Sequence, residues 1–131
     1  MKVLIKYYKP AVLWTSFIFI ICTINLGKAS DSPLFFKGFD KLVHCWLFFV
    51  LVVFCCEGFI RQQSSGLPSY KPVLLFTLAA IMYGGIIELL QAYVFTWRTG
   101  EWNDLLADAV GSSMGAFGVI ITMMAMSYVK K

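Results

Sequence analysis

Four apolar stretches, at approximately residues 10–26, 42–60, 72–95 and 105–129, take up most of this 131-residue chain and restrict what it can fold into. A helix needs about 20 mostly apolar residues to cross the hydrocarbon core of a bilayer, with roughly 17 to 25 tolerated. The last three stretches meet that length comfortably. The first is at the short end, and the rings of Tyr7 and Tyr8 extend it toward an interface. Composition points the same way: 60% of residues are hydrophobic and 14% charged, where soluble domains carry about 45–50% and 25%. A water-soluble chain of this size could not bury so much apolar surface. The expected fold is all-α, a single polytopic membrane domain of four transmembrane helices.

The first stretch has a competing reading. Lys2, Lys6 and Lys9 precede its apolar core, and Gly27-Lys28-Ala29 offers the small residues a signal peptidase requires. The core is long for a cleaved leader, so a retained helix is favoured.

Lysine and arginine set the expected orientation. With the N-terminus inside, the cytoplasmic flanks hold Lys2, Lys6, Lys9, Arg61, Lys71, Lys130 and Lys131, and the outer flanks hold Lys28, Lys37, Lys41 and Arg98. That asymmetry favours both termini in the cytoplasm. Tyr93, Trp97 and Trp102 then mark the outer boundary, and Tyr70 and Tyr128 the inner one. The formal charge of +4 comes from residues beside apolar runs, a pattern of orientation signals and not of a nucleic-acid surface. Residues 61–71 read as a polar turn. The outer connection of residues 27–39, with Pro33-Leu34-Phe35-Phe36 and Phe39, is apolar enough to lie on the outer leaflet. Cys22, Cys45, Cys55 and Cys56 lack C-x-x-C spacing and read as small apolar residues.

Ionisable residues inside such helices cost about 2.5–3.5 kcal/mol each and call for a reason. The second helix opens with Asp40, Lys41 and His44; Asp40 and His44, four apart, share a face. The third carries Glu88 and Gln91 on the face of Gly84. The fourth starts with Asp104 and Asp108, and the stripe continues through Gly111 and Gly115. Asp104 also suits a helix N-terminus, and Glu57 with Arg61 reads as a structural pair at the inner boundary. Because the second and fourth helices enter from the outer side and the third leaves there, Asp40, His44, Glu88, Gln91, Asp104 and Asp108 fall in one depth band, with Arg98 above. Gly84 and Gly85 on the third helix and Gly111-x-x-x-Gly115 on the fourth offer small faces, so these two helices are expected to pack tightly and bring Glu88 near Asp108. Two carboxylates that close cannot both stay ionised cheaply unless a proton, Arg98, Lys41 or His44 compensates.

Asp40-Lys41-x-x-His44, Glu88-x-x-Gln91, Arg98, Asp104 and the small-residue helix with Gly111 and Gly115 together resemble the VanZ-like family over roughly residues 39–118. Asp108 is a departure, since many relatives carry asparagine before the glycine-rich stretch. The resemblance implies a multi-pass protein of the bacterial cytoplasmic (inner) membrane, in a family linked through its best-known member to teicoplanin resistance. It supplies no mechanism.

The leading expectation is an outward-facing polar cleft that binds an amphiphile: a lipid head group, a lipid-linked wall precursor or a lipoglycopeptide. The ligand-binding candidates are Asp40, Lys41, His44, Glu88, Gln91, Arg98, Asp104 and Asp108. Lys41 and Arg98 would hold an anionic group, while His44, Glu88 and Asp108 would orient it or exchange protons. The alternatives are a membrane enzyme using His44, Glu88 or Asp108 in acid–base chemistry, a proton-coupled transporter, and a structural subunit. One histidine without a second nitrogen or sulfur ligand is a poor zinc signature, so neither metal nor cofactor is expected. Membrane lipids are the expected partners, nucleic acid is not, and Gly-x-x-x-Gly could equally serve a homo-oligomer.

Overall fold

A computed structural model describes residues 2–24, 36, 38–63, 69–97 and 99–129. The Gly27-Lys28-Ala29 segment, most of the outer connection, the centre of the 61–71 turn, and Arg98 lie outside the described residues. Every described element is helical: α1 (Lys2–Tyr7), α2 (Lys9–Thr23), α3 (Phe39–Gln62), α4 (Lys71–Tyr93) and α5 (Trp102–Val129).

Three of these, α3, α4 and α5, are long and apolar enough to cross a membrane, with 24, 23 and 28 residues. At 1.5 Å per residue each exceeds the roughly 30 Å of a hydrocarbon core. Helix α2 has 15 residues, or about 22 Å by the same rise. It is parted from α1 at Tyr8, where Pro10 stands second in α2. Proline has no N–H to donate to the carbonyl four residues back, and its ring collides with that carbonyl. The N-terminal apolar segment is therefore two helical pieces and not one rod. Pro72 stands at the equivalent early position of α4, where the missing N–H costs nothing.

The burial pattern is the inverse of a water-soluble bundle. Leu74, Leu75, Leu78, Met82 and Ile86 on α4, and Leu106, Val110, Met114 and Phe117 on α5, are exposed, while His44, Glu88, Gln91, Asp104, Asp108 and Ser112 are buried. Apolar groups outside and polar groups inside suit a hydrocarbon solvent. Helix α3 is central. It packs most extensively on α5, and also on α4 and α2, around Phe48, Leu51, Val52, Ile87 and Met123. Helix α2 touches α3 and α4 but not α5.

Side-chain donors fasten α2 to the bundle. Its own Trp14 Nε1–H donates to the Leu47 carbonyl (2.9 Å), and Tyr83 Oη–H donates to the Thr15 carbonyl (2.8 Å). At its C-terminal end, Gln91 Nε2–H donates to the Cys22 carbonyl (2.6 Å) and Trp97 Nε1–H to the Thr23 carbonyl (3.0 Å). The last carbonyls of a helix have no partner within it, and in an apolar setting a side chain must supply one. Trp14→Phe is expected to lower stability by about 1 kcal/mol, the net worth of such a bond, measured as thermal unfolding in detergent. Trp46→Phe, at an exposed ring, should change it far less; equal effects would refute the role given to the Trp14 bond.

Gly111 and Gly115 correct one expectation. Both face α3 and not α4: a Cβ on Gly111 would collide with the backbone carbonyl of Cys45, and one on Gly115 would lie 2.7 Å from the Phe49 carbonyl oxygen. The small stripe of α5 is thus occupied by α3 within the chain. Gly84 does face α5, where a Cβ would run into the Asp108 carboxylate, and Gly85 makes ordinary contact with Leu105.

Candidate functional site

Helices α3 and α5 begin, and α4 ends, at the same end of the bundle, and there the polar side chains gather in two tiers. The upper tier forms around Lys41 in the first turn of α3. Its ammonium lies 3.0 Å from Asp40, 2.9 Å from Glu101 and 3.0 Å from Asp104. An ammonium has three N–H donors, and each meets a carboxylate. Asp104, on the first turn of α5, is buried, while Asp40 and Glu101 are about half exposed. Lys41, which the sequence offered as a holder of an anionic group, is engaged inside the chain, where it offsets one of three adjacent negative charges.

The lower tier lies one turn further in. His44, four residues after Asp40, and Asp108, four after Asp104, meet through a 2.9 Å contact between Nδ1 and Oδ1, both side chains fully or nearly fully buried. Glu88 reaches the same place from α4. Potential ligand atoms of His44, Glu88 and Asp108 all lie within 4.8 Å of one another. The tiers are joined by the Glu101 backbone N–H, which donates to Glu88 Oε2 (2.8 Å). That bond requires the 99–101 segment to lie close on α4, which Gly100 permits: a Cβ there would meet the Glu88 carbonyl oxygen at 2.5 Å.

The second oxygens of both acids are left over. Glu88 Oε1 and Asp108 Oδ2 are buried without a hydrogen-bond partner among the described residues, as are Gln91 Oε1 and Ser112 Oγ. Buried polar atoms are usually satisfied, and each orphan costs about 1–3 kcal/mol.

Of the residues singled out in the sequence, the structure gathers Asp40, Lys41 and Asp104 in the upper tier and His44, Glu88 and Asp108 in the lower. It turns Gln91 away to α2. Glu101 escaped the sequence reading because it sits between helices, where periodicity is silent. Its available signal was position: an acid just before a helix, whose carbonyl accepts the Asp104 N–H (3.0 Å), favoured by the helix dipole. With Glu101 included, five carboxylates face one lysine and one histidine among the described residues, so the site is acidic.

The fold and site together define a helical protein with three helices able to span a membrane and a buried acidic cluster at one end. No protein-family model, curated protein or solved structure matches the chain.

Proposed function

We propose that the chain is a VanZ-like multi-pass protein of the bacterial cytoplasmic membrane, with α2 as a fourth span and both termini inside, and that its two-tier cluster receives the polar end of an amphiphile at the outer leaflet. The supporting observation is the position of the cluster: three membrane-length helices hold ionisable groups one and two turns from a single end, under Trp97 and Trp102. Such groups in a membrane helix commonly mark a ligand or ion pathway. The candidate ligands are a lipid head group, a lipid-linked wall precursor and a lipoglycopeptide. The carboxylate excess favours those that present an amine, or a phosphate carried with a cation.

The test is binding of labelled lipoglycopeptide and lipid-linked precursor to the purified protein in nanodiscs. Glu88→Ala is expected to weaken binding at least tenfold, with helicity unchanged. Equal binding by the parent protein, Glu88→Ala and Asp108→Ala would end this reading.

One observation supports an enzyme instead. A buried carboxylate hydrogen-bonded to an imidazole, as Asp108 is to His44, fixes the ring's orientation as acid–base catalysis requires. Turnover of a labelled precursor that His44→Ala abolishes would select the enzyme over the binder.

A further inference from the structure

We propose that His44, Glu88 and Asp108 form a binding site for one first-row divalent cation, in the range Mn2+ to Zn2+. This goes beyond the amphiphile reading and stands whether or not an amphiphile binds.

The donors come from three helices, α3, α4 and α5, so no single segment accounts for their meeting. Each is at least nine-tenths buried, with relative exposures of 4% for His44, 7% for Glu88 and 0% for Asp108. Their ligand atoms lie within 4.8 Å of one another. Bonds from these metals to nitrogen and oxygen are about 2.0–2.2 Å, which places ligands roughly 3 to 4.4 Å apart. The widest pair fits an ion with those two ligands opposite one another after a contraction of a few tenths of an ångström, and a tetrahedral ion after roughly 1 Å more.

The orphan oxygens carry the argument past a mere cluster of acids. Asp108 Oδ1 stands 2.9 Å from His44 Nδ1, a spacing that two ligands of one ion share when Nδ1 is the unprotonated nitrogen, and Glu88 Oε2 accepts from the Glu101 N–H. Asp108 Oδ2 and Glu88 Oε1 remain buried without a partner among the described residues. Oδ2 is aimed at α4, at the place where Gly84 lacks a side chain; Glu88 follows one turn later on the same face. A proton on either acid would remove one of the two buried negative charges. A divalent ion with two carboxylates and a neutral imidazole is instead electroneutral, the arrangement a low-dielectric interior tolerates best.

The donor set selects the metal. Imidazole suits zinc, copper, iron and nickel, carboxylates suit the harder manganese, and magnesium and calcium prefer oxygen alone. One nitrogen with two oxygens falls between. The expectation of no metal rested on a missing second nitrogen or sulfur ligand; three converging donors replace it. Three protein ligands leave coordination positions open. The upper tier does not compete, because Lys41 already supplies the cation among Asp40, Glu101 and Asp104.

The test uses the full chain in nanodiscs, stripped with chelator and titrated with Mn2+ followed by electron paramagnetic resonance, and separately with Zn2+ followed by calorimetry and thermal unfolding. One ion per chain is expected, with a rise in unfolding temperature. Glu88→Gln and Asp108→Asn, which keep shape and remove charge, should each weaken binding at least tenfold while unfolding cooperatively without metal. Asp40→Asn and Glu101→Gln should leave the one-ion stoichiometry in place. The proposal is overturned if neither metal binds above empty nanodiscs, if the lower-tier variants bind as the parent does, or if only the upper-tier variants abolish binding.

Discussion

Gly111→Ala is expected to lower the stability of the bundle by about 3 kcal/mol, the upper part of the range for overpacking. One methyl group does this because of what it meets. A Cβ at Gly111 falls on the backbone of Cys45, with the carbonyl oxygen, carbonyl carbon and Cα all in its way. A flexible side chain could swing aside, but a helix backbone can yield only by moving α3 away from α5. That shift would part neighbours of the site as well, since Cys45 adjoins His44 and Gly111 lies one turn from Asp108. Gly118→Ala on the same helix is the control. No atom stands within 4 Å of a Cβ there, and replacing glycine in a helix is worth up to about 1 kcal/mol in its own right. The two variants should therefore move the unfolding temperature in opposite directions in detergent. Like signs would show that the α3–α5 contact is not the close one described.

The same glycines show where sequence stops being informative. A stripe of small residues announces that some backbone comes near; it does not say which one. Gly111 and Gly115 could have faced α4, a second copy or α3, and only the packing of side chains around Phe48 and Val52 decides for α3. The helices themselves were legible because each is a continuous apolar run. Their boundaries were less so. Helix α3 begins at Phe39 and α5 at Trp102, three residues before the apolar stretches at 42 and 105. A hydropathy criterion halts at Asp40-Lys41 and Asp104, whereas the chain keeps these residues helical and pairs them across helices. The meeting of His44, Glu88 and Asp108 could be anticipated from helical spacing and alternating direction. The partners of Lys41 could not, since Glu101 and Asp104 lie 60 and 63 positions away and no local rule links them. Likewise Gln91 shares a face with Glu88, yet the carbonyl it caps belongs to α2, an element whose end exposes a need that no periodicity records.

Lys41→Met tests the electrostatic design of the upper tier, and it is expected to cost about 2–3 kcal/mol of stability. The substitution keeps most of the stem and removes the ammonium, leaving Asp40, Glu101 and Asp104 together without their cation. Breaking a fully buried pair costs about 3–5 kcal/mol because the remaining charge has no solvent to turn to. Lys41 retains 34% of its side-chain exposure, and Asp40 and Glu101 retain 51% and 47%, so their share is largely screened and the value must be discounted. Asp104, at 7%, carries most of the loss. Three consequences separate this account from one in which Lys41 is a free anion clamp. Asp104→Asn placed on top of Lys41→Met should restore most of the lost stability, whereas Asp40→Asn should restore little. Added salt should narrow the gap between parent and variant, because it screens the repulsion among the exposed acids. Finally, phosphate should not stabilise the parent protein through Lys41. A clamp would behave in the opposite way: Lys41→Met would leave thermal unfolding unchanged without ligand and abolish a phosphate-induced rise in unfolding temperature.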